Sequence, residues 1–291
     1  MRKSRRRPRP IVVGVNGAAQ GIDAAIWAGR DAQRRGATVE LIHVCRCNSI
    51  SVAAAMNGVY VDPRVHDDGA EAVAEATRAL RVLFPGVPVS GRVCLGDVGS
   101  VLGTFSRNAE AIVIGSHRTG SRFRGSGVAR LARCSSAPVV VVSKHLRVRT
   151  RVEPATSAVV VVLESRHGAE EVLAWACRHA RRERCPIRVQ LGLRRSEYGR
   201  TERHAAECWL FDLLVAYRAA TVGVHLSGAV APGAPLDGEA PLSEAPLVVV
   251  GGTQRNHSVR RWAQLVDEGD IRALALVPTA SSRVPGDHLL I

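Results

Sequence analysis

The stretch GSHRTGSRFRGSG, Gly115–Gly127, holds four glycines and three arginines in thirteen residues. It follows the apolar run AIVIG and precedes VARLARCSSAPVVVV. Glycines at a strand end let backbone approach a ligand closely, and arginines favour an anion. The chemistry this points to is phosphate binding by backbone N–H groups at a helix start, where the helix dipole adds its attraction. From Ala111 through Val152 there is no Asp or Glu, while nine Lys or Arg occur. The same residues fit a second account, in which arginines on a short surface helix serve solubility. No G-x4-G-K-[ST] is present, so the loop is no Walker motif.

The elements that must position this loop alternate. IVVGV at 11–15 reads as a buried strand, and GIDAAIWAGRDAQRRG as an amphipathic helix. TVELIHV is a second strand, DDGAEAVAEATRALRVLF a second helix, VPVSGRVC a third strand and DVGSVLGTFSRN a third helix. EAIVIGS and APVVVVS are strands four and five, with the short helix GVARLARCS between them. Such alternation predicts an α/β domain with a five-stranded, mainly parallel sheet and helices on both faces. With strand order 3-2-1-4-5, ligands bind where the order reverses, between strands one and four. The loops there are VGVNGAAQG and the glycine–arginine stretch.

The second half repeats the first at low fidelity. A shift of 148 residues lays Trp27-Ala28 on Trp175-Ala176, Arg30 on Arg178, Ala32 on Ala180 and Arg34 on Arg182. Later, APLVVVGGTQR resembles EAIVIGSHR, and IRALALVP stands where APVVVVS was. Two tandem doubly wound domains are expected. Residues 1–9 form a basic disordered tail, 10–146 the first domain, 147–155 a linker, 156–280 the second domain and 281–291 a tail. GAVAPGAPLDGEAP in the second half reads as a third helix trimmed to loop.

Bulk properties narrow the class. The 291 residues carry a formal charge of +14, six of the positives within the first nine residues. No apolar h-region follows that tail and no run reaches the length of a membrane span, so a cytoplasmic protein is expected. Seven cysteines form no CxxC pair. They read as reduced thiols, with a redox or metal role at Cys45 and Cys47 the less favoured account and no metal site assigned. The basic tail and loop attract polyanions. No helix-turn-helix, zinc finger or aromatic RNP pattern accompanies them, so specific nucleic-acid binding is not expected.

These residues resemble the universal stress protein family. The likeness rests on a strand-one start close to VVGVDGS, the Trp-Ala pair, HV closing strand two, GD before helix three, and a glycine loop ending Gly-Ser about a dozen residues before PVVVV. It covers about residues 10–143, with a degenerate copy over 156–280, so the whole resembles the tandem form found in actinobacteria. The resemblance implies a regulatory protein of stress or dormancy responses. It also implies intramolecular pairing of the two domains, a homodimer and a protein partner the sequence does not identify.

Members that bind ATP use a G-x2-G-x9-G-[ST] loop, an aspartate after strand one and backbone at the end of strand two. Carried over, this places Gly14, Val15, Asn16 and Val44 at the site, with Gly115, His117, Arg118, Gly120, Gly125 and Ser126 from the loop. Departures are plain. Arg118 stands at the second glycine's place, the span from Gly115 to Gly125 is three residues short, and Asn16 replaces aspartate. In the second domain Glu164 replaces that aspartate and GGTQRNHSVRRW lacks the spaced glycines, so only the first domain is expected to hold nucleotide. The alternative is a stress-protein-type scaffold that binds no nucleotide and acts through protein partners. No catalytic residue is assigned: His117 has no carboxylate beside it in the loop, Asp97 reads as a helix cap and His43 as a strand residue. Slow ATP hydrolysis is the most the residues support.

Overall fold

The computed structural model describes residues 8–45, 63–116, 126–144, 158–193, 199–232, 242, 245–252 and 256–279. The chain divides into two compact units, Met1–Arg147 and Val148–Ile291. In the first, β1 (Ile11–Val15), β2 (Val39–Cys45), β3 (Val89–Leu95), β4 (Ala111–Gly115) and β5 (Val139–Val142) alternate with α1 (Ala19–Arg35), α2 (Pro63–Leu83), α3 (Val98–Ser106) and α4 (Ser126–Cys134). Strand order is β3-β2-β1-β4-β5, parallel throughout, as the alternation of elements requires.

The sheet forms because its central strands are β-branched and buried on both faces. Ile11, Val12, Val13, Ile112, Val113 and Val139–Val142 are all buried. Helix α1 runs over this surface on Ala24, Ala25, Ala28 and Ala32, whose small side chains bring the helix close. It stops at Gly36, in the left-handed conformation at φ 61°, whose N–H bonds the Ala32 carbonyl. Gly29 completes the approach: a Cβ there would lie 2.6 Å from Leu80 Cδ2 of α2.

The second unit contains β6 (Val159–Leu163), α5 (Ala169–Glu183), β7 (Ile187–Leu193), α6 (Arg200–Ala220), β8 (Leu226–Pro232), β9 (Val248–Gly252), α7 (Asn256–Glu268) and β10 (Ala273–Pro278). Its order, β8-β7-β6-β9-β10, is the same 3-2-1-4-5 pattern, again parallel. The tandem doubly wound fold is therefore as expected.

One local reading is corrected. GAVAP, at the start of the segment read as a trimmed helix, is the end of strand β8, paired with β7 from Ile187↔Leu226 to Leu193↔Pro232. Its glycine has a packing reason: a Cβ at Gly228 would press to 2.7 Å from Leu214 Cδ1 of α6. The remainder, 233–241, lies outside the described residues, as do residues 1–7 of the basic tail and the whole of 281–291. Among the described residues no helix is long and apolar enough to cross a membrane. Six cysteines fall among them, all with free thiols, and no cluster there offers three metal ligands.

Candidate functional site

In the first unit the switch point lies between β1 and β4, which pair from Ile11↔Ala111 to Gly14↔Ile114. Val15 ends β1 and is buried. Asn16 follows on the surface, and its Oδ1 accepts from the Ala18 backbone N–H at 3.3 Å. This turn, with Gly17 at φ 72°, starts α1 where Ala18 offers no side-chain cap. Strand β2 outruns β1, since Val15 is opposite His43. Val44 thus stands just past the end of β1, half-buried, its register partner Cys94 on β3.

Gly115 has a different reason from the one its motif suggests. A Cβ there would collide with the backbone carbonyl of Gln20, in the first turn of α1. The glycine admits the helix, and the helix brings its N-terminus to the end of β4. Gly14 is similarly enclosed, with Ile114 Cγ2 and Leu102 Cδ1 each 3.1 Å from where its Cβ would be. Beyond Gly115, Ser116 is 2% exposed and its N–H bonds the Val142 carbonyl at 2.7 Å. The positions His117, Arg118, Gly120 and Gly125 lie outside the described residues; Ser126 opens α4.

Two polar atoms here are unsatisfied. Ser116 Oγ and Gln20 Oε1 are both buried without a hydrogen-bond partner. One follows β4 and the other sits in the first turn of α1. Such atoms are costly to bury unless something polar meets them. Neither was found from sequence, because their burial depends on α1 closing over Gly115.

The N-terminus of α3 adjoins this end. Asp97 caps it, as expected, accepting from the Ser100 N–H at 3.0 Å and hydroxyl at 3.1 Å. Arg130 of α4 pairs with the same carboxylate at 3.2 Å, so one of the basic residues of the segment is engaged within the domain. Slight burial raises the Asp97 pKa, but the Ser100 hydrogen bonds and Arg130 outweigh it and hold the carboxyl below its ordinary value.

His43 is a strand residue, its ring against α2 where a Cβ at Gly69 would come within 2.8 Å of Cδ2. Burial pushes its pKa down, against smaller upward effects from the Val15 backbone and Asp68. A histidine disfavoured as a cation in the fold contributes stability that is complete above its unfolded pKa, about 6.5, and lost as pH falls below it. Urea midpoints of the first domain are expected to fall between about pH 7 and pH 5, and His43→Gln is expected to flatten that slope.

The second unit differs at this end. Glu164, after β6, accepts from Trp262 Nε1 of α7 at 2.8 Å, and Trp262 is 1% exposed. Aligned through the sheet ladders, in which Val139 matches Leu274, Trp262 stands where the first unit has Gly127. The indole and the carboxylate join α7 to the residue that follows β6, a bond for which the first unit, with Asn16 and Gly127 at these positions, has no counterpart. A cleft of about 500 Å³ does open in this unit, beside Gly168, Ala169, Glu170, Glu171 and Tyr217. Two carboxylates at its edge oppose a polyphosphate, and Arg166 is spent over the Trp209 ring, 5.5 Å from its centroid.

Comparison with known proteins bears on the family and the fold. The model of the universal stress protein family matches residues 8–143. Universal stress protein Rv2624c of Mycobacterium tuberculosis strain H37Rv is 29% identical over 202 residues, 65% of this chain and 66% of its own length, so just under two thirds of that relative is spanned. A universal stress protein from Archaeoglobus fulgidus shares the fold across both units, with TM-score 0.66 and 12% identity over 95% of this chain and 98% of that one. A universal stress protein solved in complex with cAMP overlies 47% of this chain and 97% of its own, with TM-score 0.38 and 20% identity.

Proposed function

Because the chain belongs to the universal stress protein family, through the match over residues 8–143, we propose that it is a regulatory protein of stress or dormancy responses holding one ATP-type nucleotide in its first domain. The observation that carries this reading is the pair of buried, unsatisfied polar atoms, Ser116 Oγ and Gln20 Oε1, at the sheet's switch point. A ligand rich in polar atoms satisfies them where the fold does not. The helix starts of α1 and α4 lie at the same end, and the backbone beyond Val15 and at Val44 borders it. The protein is read as binding its ligand rather than turning it over, since Asp97 and His43 both have structural duties.

One observation favours a second reading. The Asn16 oxygen already serves Ala18, and the missing side chain of Gly115 is accounted for by α1. On that reading the first domain is a scaffold without nucleotide.

Ser116→Ala separates the two. Removing an unsatisfied buried hydroxyl is expected to raise the stability of the first domain by roughly 1 kcal/mol. On the nucleotide reading it also weakens ATP binding by about five- to tenfold. Gain of stability with loss of affinity is the expected result; a wild-type protein that shows no saturable ATP binding favours the scaffold.

A further inference from the structure

Helix α6 carries a thiol and a base side by side. Cys208 Sγ lies 3.7 Å from His204 Nε2, one turn back along the helix, and both residues are exposed. With the ring proton on Nδ1, the thiol S–H donates to Nε2. A nucleophile within reach of a proton acceptor is the arrangement covalent chemistry needs. The pair has no part in the nucleotide reading, which concerns the first domain.

The same face continues as an apolar strip. At about 100° per residue, His204, Cys208, Phe211 and Val215 fall within an arc of about 60°. Phe211 is 62% exposed and Val215 46%. Long helical side chains lean toward the N-terminus, which turns the Phe211 ring toward Cys208. Packing does not require these residues to face outward, since Ala206, Leu210 and Leu214 are the buried residues of this helix. In the first domain the equivalent helix, α2, turns Glu71, Glu75 and Arg78 to solvent. The other described thiols differ. Cys45 and Cys177 are buried, and burial pushes the Cys177 thiol up. Cys134, at the end of α4, is exposed like Cys208 but has no imidazole beside it among the described residues.

We propose that Cys208 is a site of covalent modification by α,β-unsaturated carbonyl compounds that carry an alkyl chain. His204 is the base, and Phe211 and Val215 seat the chain. The thiol proton passes to His204 Nε2, and a sulfur lone pair forms the C–S bond to the β-carbon. The C=C π pair moves onto the conjugated carbonyl as an enolate, and the imidazolium returns its proton there. The product is a saturated carbonyl on sulfur, His204 is regenerated, and no outside oxidant or reductant is consumed. The strip favours this reagent class because an alkyl chain laid along Phe211 and Val215 leaves water while its reactive carbon meets Sγ.

The test treats the full chain with limiting nonenal, and separately with acrolein, which has no chain. Adducts at each cysteine are followed in time by peptide mass spectrometry. In the wild type, Cys208 is expected to react with nonenal at least about tenfold faster than Cys134 in the same molecule. His204→Gln is expected to slow Cys208 by about tenfold or more and to leave Cys134 unchanged. Phe211→Ala is expected to slow nonenal at Cys208 by about fivefold with little effect on acrolein. Protection of Cys45 and Cys177 shows that each variant is folded. Equal rates at Cys208 and Cys134 in the wild type overturn the proposal. So does a folded His204→Gln variant whose Cys208 reacts as before. A Phe211→Ala variant that treats the two reagents as the wild type does removes the strip from the account.

Discussion

Replacing Arg35 with methionine is expected to destabilise the first domain by about 3–5 kcal/mol, read as a fall in its urea midpoint. Arg35 is the last residue of α1, and its side chain is only 4% exposed. Its guanidinium lies 2.7 Å from Asp31 Oδ2, one turn back, and 2.6 Å from Glu110 Oε1, just before β4. Methionine fills much of the same volume but leaves Asp31, itself buried, without its cation. It also removes a positive charge from a helix C-terminus, where the dipole favours one. The Asp31→Asn, Arg35→Met pair is expected to recover a large part of the loss, because a buried neutral pair lacks the desolvation cost of an orphaned charge. A single variant that costs under about 1 kcal/mol would show the ion pair to be solvated.

A second large effect is expected at Trp262. Its truncation to alanine should destabilise the second domain by about 3–5 kcal/mol, through lost burial and the cavity left behind. Trp262→Phe isolates the polar part: it keeps most of the packing and removes the donor to Glu164, at a cost of about 1 kcal/mol. Glu164 is only half-buried and can turn to water. The two variants together test whether the second domain is held shut mainly by the body of the indole. Equal losses in both would mean that the Glu164 hydrogen bond dominates, and the packing account of this domain would have to be abandoned.

Much of the fold was legible because strands and helices here are built from different residues. IVVGV, AIVIG and VVVV are short, β-branched and bounded by glycine or proline, and the Trp-Ala repeat gave away the duplication. Helix α6 was not legible, for the reason that makes it interesting. Phe211 and Val215 outward, with Leu210 and Leu214 inward, erase the one-sided pattern by which an amphipathic helix is read. Strand β8 was mistaken for loop because Gly228, Ala229 and Ala231 have little β-propensity, and they serve as a strand by letting Leu214 of α6 approach. At the site, residue type pointed to the right place with a partly different reason. Gly115 reads as a phosphate glycine, yet its immediate contact is Gln20 of α1. The Glu164–Trp262 bond joins residues 98 apart, and no local pattern announces it. Spacing located the switch point; packing decided what each residue does there.

The account stands or falls on the difference between the two domains. Calorimetric titration of the full chain with ATP measures that difference directly, as a stoichiometry. One site per chain is predicted, weakened by Ser116→Ala and unaffected by Glu164→Gln, which keeps an acceptor for Trp262. Two sites per chain, or no saturable binding at all, would contradict it.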